Sequence, residues 1–373
     1  MATETERFAR TARYHDRLER TQDELARQGI DLLVVGPSAD LLYLIGYDAH
    51  LSERMSLLLL PRQGDPSYVV PTLEAPLLAD LQDLVDIHPW EETQAPADLV
   101  ARVAGSLAGK TVAIADQLWS VFLLRLQDAV PGARWVPGSP VIRPLRMIKD
   151  GREIELMRDV ARRTDDAWEE FVSRPIGGMT ERQAMDRLAA LTHGRDLGPA
   201  FGICASGPHS ASPHHHTGDR VIEAGDAVVF DWGATLEGYY SDVTRTVHVG
   251  PPSREFARVY EVVLSANQAA LDAVRPGVPC EDIDLAARSL IEAEGYGAHF
   301  IHRLGHGLGL DVHEDPYLVT GNAMPLESGM VFSDEPGIYL KGRFGVRIED
   351  AVLSTDTGGE RLNEATRELT IVS

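Results

Sequence analysis

The sequence contains only two cysteines, Cys204 and Cys280, in 373 residues. That is too few for a disulfide framework or a thiolate metal site. No G-x-S-x-G elbow is present either, so a nucleophilic triad has little support. Long hydrophobic runs are also missing: SLLLLP at 56–61 is strand-length and far short of a bilayer span. The opening MATETERFARTARYHDRLERTQ carries no apolar signal core, so a cytoplasmic protein with no membrane partner is expected. Basic residues are scarce, 35 Lys and Arg against 57 Asp and Glu, for a formal net charge of −22. That sign argues against nucleic acid or an anionic membrane as partner. It also raises the prospect of clustered carboxylates balanced by cations that the sequence does not supply.

What remains is an ordinary globular composition, 44% hydrophobic and 25% charged, with a length of about two domains. DLLVV (31–35), SLLLL (56–60), SYVVP (67–71) and KTVAIAD (110–116) read as short buried strands with helical stretches between them, an α/β pattern. GSLAGKT at 105–111 has one residue too few between its glycines for a phosphate loop and reads as a helix stop. After SPVIRPL the pattern changes to a long amphipathic helix beginning near Asp150. The expected division is therefore an α/β domain over 1–140 and an α+β domain over 141–373. In the second domain TERQ (180–183) has the form of a capping box, and Ser253 and the EDIDL segment at 281–285 open further helices.

GHGLGLDVHEDP (305–316) places His306 and His313 seven residues apart. A helix would put both rings on one face, but each interior glycine costs a helix about 1 kcal/mol relative to alanine. A strand would send the rings to opposite faces. Neither regular element suits the segment.

Two β-type hairpins frame it. In DAVVFDWGATLEGYYSDVTRTVHV (226–249) a turn centred between Leu236 and Glu237 puts Asp231 opposite Asp242. Cross-strand Cβ atoms lie about 5 Å apart, where two carboxylates repel by about 3 kcal/mol at an effective dielectric of 20. In GMVFSDEPGIYLKGRFGVRIEDAVL (329–353) Glu335 and Glu349 are equidistant from Gly342. Asp231, Asp242, His306, Glu335 and Glu349 thus form a hard, oxygen-rich set suited to a pair of manganese, cobalt or zinc ions, whose charge balances the carboxylates. The competing reading is solvated acids and a packed histidine.

FDWGATLEGYYSDVTRT, HRLGHGLGLDVHEDP, SDEPGIY and GVRIED resemble the successive motifs of the pita-bread metallopeptidases, in that family's order over 140–373. The preceding α/β domain is similar to the creatinase-like N-terminal domain of the proline-specific branch. The resemblance implies Asp231 on one metal, Asp242 and Glu349 bridging, and His306 and Glu335 on the other. It implies a hydroxide bridging two ions, manganese foremost, with Glu335 moving the proton and His214 and His313 assisting at the substrate. The Pro-His pattern selects Pro213-His214, leaving His215 and His216 on the solvent side. His302, Arg347 and Tyr317 become candidate substrate contacts, although Tyr317 stands where some prolidases carry arginine. The implied function is an Xaa-Pro dipeptidase (prolidase) acting on small peptides as a homodimer. An Xaa-Pro aminopeptidase for longer peptides is the close alternative; a metal-free creatinase-type hydrolase and a non-catalytic binding protein rank lower.

Overall fold

The computed structural model describes residues 4–373, which divide into two compact units, one ending at Arg146 and the other running from Met147 to Ser373. Among the described residues no helix is long and apolar enough to cross a membrane.

In the first unit the leucine- and valine-rich runs form the middle of a six-stranded mixed sheet. Its order is Asp86–Trp90, Ser67–Pro71, Leu57–Pro61, Leu32–Val35, Thr111–Ile114, Arg134–Pro137. Leu33, Val35, Leu58 and Leu60 are fully excluded from solvent, which explains why these strands read as continuous apolar runs rather than alternating ones. Two strands were not legible in the sequence: Asp86–Trp90 and Arg134–Pro137 each contain proline and exposed positions, as edge strands tolerate. Leu57–Pro61 and Ser67–Pro71 pair antiparallel across a link too short for a helix, which breaks the expected alternation there. The helix Pro96–Ala104 stops at Gly105, φ 69°, so the GSLAGKT stretch is a helix stop.

In the second unit the helix signals act where they stand. Asp150 caps Gly151–Val172 in a reciprocal box with Glu153, Thr180 caps Glu181–His193 with Gln183, and Ser253 caps Arg254–Ala273. The fourth long helix is Cys280–Ala293. The first two pack on a sheet ordered Thr370–Val372, Val243–Val249, Ala227–Leu236, Gly198–Ser206. Their shared core joins Trp168, Phe171 and Leu188 to Phe230, Trp232 and Val243. The other two helices bury Val259, Val263, Ile283 and Ala287 against Phe332, Val346, Ile348 and Val352. Each layer leaves the far face of its strands for polar side chains, and those faces carry the acids.

Trp168 is 1% exposed and stacks on Trp232 at 4.7 Å between ring centroids. Trp168→Ala would leave a cavity behind the strand that bears Asp231, so it should destabilise the protein by about 3–5 kcal/mol. Denaturant unfolding of wild type and variant measures this directly.

Candidate metal centre

The first ribbon turns on Glu237 and Gly238, whose φ angles are 50° and 86°, the positive values that a two-residue hairpin turn requires. The turn centre lies one residue later than the sequence reading placed it. Every partner therefore shifts by two, and Asp231 pairs with Thr244 rather than Asp242. Because side chains alternate with period two, this shift keeps Asp231 and Asp242 on one face as diagonal neighbours. Phe230, Trp232 and Val243 turn to the helices, and Asp231, Asp242 and Thr244 turn away from them.

The second ribbon keeps the expected symmetry about Gly342. Val331↔Leu353 through Asp334↔Asp350, then Gly337↔Arg347 through Leu340↔Phe344, share one register. Glu335 and Glu349 stand opposite each other at the break between those two stretches, where Pro336 offers no amide to the ladder. An isolated bridge between Thr244 and Glu349, with the Glu349 amide donating to the Thr244 carbonyl at 3.1 Å, sets the two ribbons side by side.

His306 lies on the short strand Gly305–Gly307, between Glu314–Leu318 and Val331–Asp334. A Cβ on Gly305 would sit 1.8 Å from the Ser333 carbonyl oxygen, and one on Gly307 would sit 2.2 Å from that of Asp315. The bare backbone is thus demanded by the flanking strands. A register shift at His306/Gly307 and the loop beyond bring the His306 and His313 rings to 4.0 Å, so an irregular ribbon does what neither helix nor strand could.

The His306 Nδ1 is 3.2 Å from the Gly307 carbonyl, which only accepts, so Nδ1 carries the proton. The Nε2 lone pair then faces Glu335 Oε1 at 3.3 Å and Asp242 Oδ2 at 3.6 Å. A lone pair aimed at two carboxylates is repulsive unless a cation or a proton lies between them. Asp242, His306 and Glu349 offer ligand atoms all within 4.8 Å of one another, and Asp231 Oδ1 is buried without a hydrogen-bond partner. Burial, then the charges of Asp231 and Glu335, hold the Asp242 carboxyl well above its usual range. Burial and Asp242 do the same for Glu349. Burial, reinforced by the charge of Asp231, pushes Glu335 up to about 7, and burial with neighbouring His313 brings His306 down to about 3. Carboxylates reluctant to ionise and an imidazole reluctant to protonate fit a site for divalent cations.

The surrounding residues orient these groups. The Thr244 hydroxyl donates to Glu349 Oε2 at 2.6 Å; the Ser333 hydroxyl donates to Glu335 Oε1 at 3.1 Å and accepts the His306 amide at 3.0 Å. Arg347, read from sequence as a substrate contact, is 3% exposed and turned inward. It donates to Asp231 Oδ2, to Thr244 Oγ1 at 3.0 Å and to the Tyr339 hydroxyl at 3.1 Å. Tyr339 donates in turn to His302 Nε2 at 2.9 Å, whose Nδ1 donates to the Arg303 carbonyl at 2.7 Å. Burial lowers His302 to about 4, so it is neutral in this chain. His214 is exposed. Burial, then the charge of Arg303, lowers His313. His216 is exposed, but His215, read as a solvent-side neighbour, is turned onto Glu181 at 2.9 Å. Sequence reading passed over Thr244, Ser333, Tyr339 and Arg303. Arg303, whose guanidinium lies 4.3 Å over the Tyr317 ring, was the most accessible of these, lying beside His302 in the motif.

These shifts have a measurable consequence. Groups whose folded pKa is raised stabilise the metal-free fold below their unfolded pKa and lose that contribution as pH rises through the folded value. The lowered histidines act with the opposite sign below about pH 6.5, where unfolded imidazole takes up protons. Above that value metal-free protein should therefore become less stable as pH climbs through the Glu335 value of about 7. Saturating divalent metal should remove or reverse the trend, because its binding releases those protons. Thermal unfolding in chelator and in metal across that range checks both signs.

Comparison with known proteins agrees with this geometry. The description of metallopeptidase family M24 matches residues 155–356, and that of the creatinase/prolidase N-terminal domain matches 17–148. The chain is 41% identical to the solved dipeptidase PepE of Mycobacterium ulcerans, covering 97% of this chain and 98% of that one with a TM-score of 0.92. It is 38% identical to a prolidase from Thermococcus sibiricus, covering 96% and 99% at a TM-score of 0.92. Against an X-Pro aminopeptidase from Thermotoga maritima the figures are 32%, 95%, 99% and 0.85. The chain belongs to metallopeptidase family M24, with a creatinase-type N-terminal domain ahead of a pita-bread catalytic domain.

Proposed function

We propose that this metallopeptidase is an Xaa-Pro dipeptidase, a prolidase, working with two divalent ions held by Asp231, Asp242, His306, Glu335 and Glu349. The observation that carries the reading is the His306 Nε2 lone pair facing the carboxylates of Glu335 and Asp242 at 3.3 and 3.6 Å. Relatives named dipeptidase PepE and prolidase, at 41% and 38% identity, support small peptides as substrates. Manganese is the first choice of metal, with cobalt and zinc compatible with the same donors.

Ions held by these five residues would supply a Lewis acid that lowers the pKa of a bound water and polarises the scissile carbonyl. Glu335 receives the proton of the attacking water and returns it to the proline nitrogen as that bond breaks. His214 and His313 donate hydrogen bonds to the carbonyl oxygen as it gains charge. Arg347 fixes Asp231, and His302, locked by Tyr339 and the Arg303 carbonyl, presents an imidazole edge to the substrate. Arg303, stacked on Tyr317, supplies a cation for the free carboxylate of a dipeptide, a role that Tyr317 itself lacks the charge to fill.

An Xaa-Pro aminopeptidase acting on longer peptides is the second reading, favoured by that tyrosine and by the Thermotoga maritima relative. Glu335→Gln should keep the fold and lose about 10²–10⁴-fold in turnover; turnover within a few-fold of wild type would exclude the assigned role. Hydrolysis of a dipeptide and a tripeptide, each with proline second, separates the two specificities. The prolidase reading expects the dipeptide to be preferred, and Arg303→Ala to raise its KM by about 10-fold or more while the tripeptide changes little.

A further inference from the structure

Outside the five-residue centre, a second group of metal-ligand type gathers around Glu181. This residue opens the helix Glu181–His193, and its side chain is 0% exposed. Two imidazoles address its carboxylate: His209 Nδ1 lies 2.9 Å from Oε1, and His215 Nε2 lies 2.9 Å from Oε2. The rings are 4.3 Å apart between centroids and tilted by 31°. One ligand atom from each of the three residues falls within 4.8 Å of the other two. The remaining contacts of the carboxylate are fixed donors: the Ser206 amide and hydroxyl at 2.8 Å each on Oε1, and the Gly218 amide at 3.1 Å on Oε2.

We propose that Glu181, His209 and His215 form a separate, third metal site that takes zinc. Two imidazoles and a carboxylate with one position left to water are a zinc donor set. That fourth position is available on the side of His209, which is 41% exposed. Ligands at 2.0–2.2 Å in a tetrahedron stand about 3.3–3.6 Å from one another. The observed 2.9 Å contacts therefore need only a small opening when the ion replaces the two imidazole protons now directed at the carboxylate. The three Ser206 and Gly218 hydrogen bonds survive that exchange and keep the carboxylate oriented, as outer partners of metal ligands do. The imidazole majority separates this site from the carboxylate-rich centre, which suits manganese better.

The site would also brace the segment that carries His214. His209 and His215 flank it on one loop, and the Pro213 carbonyl accepts from Arg347 Nη1 at 3.3 Å. Zinc here therefore pins the loop on both sides of His214.

The test is zinc stoichiometry, by calorimetric titration and elemental analysis, of dialysed full-length wild type beside His209→Asn and His215→Gln. Each variant should bind one equivalent less zinc than wild type, while the remaining equivalents are unchanged. Should the two-ion reading of the main centre be wrong, wild type would still bind one equivalent that both variants lose. Equal stoichiometry and affinity in wild type and folded variants would overturn the site. A second measurement does not depend on variant folding: anomalous diffraction at the zinc edge from wild-type crystals soaked in zinc. A peak between Glu181, His209 and His215 supports the site, and peaks confined elsewhere overturn it.

Discussion

Like charges held together in a dry volume govern this protein. Asp231, Asp242, Glu335 and Glu349 converge with an imidazole whose lone pair points among them, and burial denies them the water that would screen their repulsion. Left to protons alone the cluster is a liability, since each carboxyl is driven away from the charged form that would make it useful. Cations turn the same crowding into binding energy. The overall excess of acid, −22, acquires a local meaning in this light.

The rest of the second unit serves to impose that crowding. Aromatic packing of Trp168 on Trp232 and Phe230 anchors one face of the first ribbon, so strand alternation forces Asp231 to the other. Helices Arg254–Ala273 and Cys280–Ala293 anchor the second ribbon in the same way. Arg347 and Arg245 then join the ribbons from within. Arg347 pairs with Asp231, while Arg245, 2% exposed, pairs with Asp350 at 2.7 Å and donates to the Glu349 carbonyl at 2.6 Å. Buried guanidinium groups of this kind are weak contributors to net stability but leave few alternatives for register. The site's precision rests on them as much as on the ligands.

Much of this could be read before any coordinates. Caps at Asp150, Thr180 and Ser253 are local chemistry, with donor and acceptor three residues apart, so helix starts were plain. The symmetry about Gly342 was legible because one register runs the length of the second ribbon. The first turn was misplaced by one residue, since Leu236-Glu237 and Glu237-Gly238 differ only in which residues adopt positive φ. Period-two alternation rescued the face but not the partner. What stayed hidden was long-range. Nothing near Arg347 announces Asp231, 116 residues away, and His215 gives no local sign of Glu181, 34 residues earlier. The glycines at 305 and 307 spoke against a helix, but the groups that crowd them, on the two neighbouring strands, are set by sheet topology.

The central claim is that two cations share these carboxylates as bridged neighbours. Electron paramagnetic resonance of the protein loaded with two equivalents of manganese addresses it most directly. The account predicts an exchange-coupled spectrum from adjacent bridged ions, lost when Asp242 or Glu349 is replaced by alanine. The hyperfine pattern of isolated manganese at full loading, unchanged by either replacement, would contradict it.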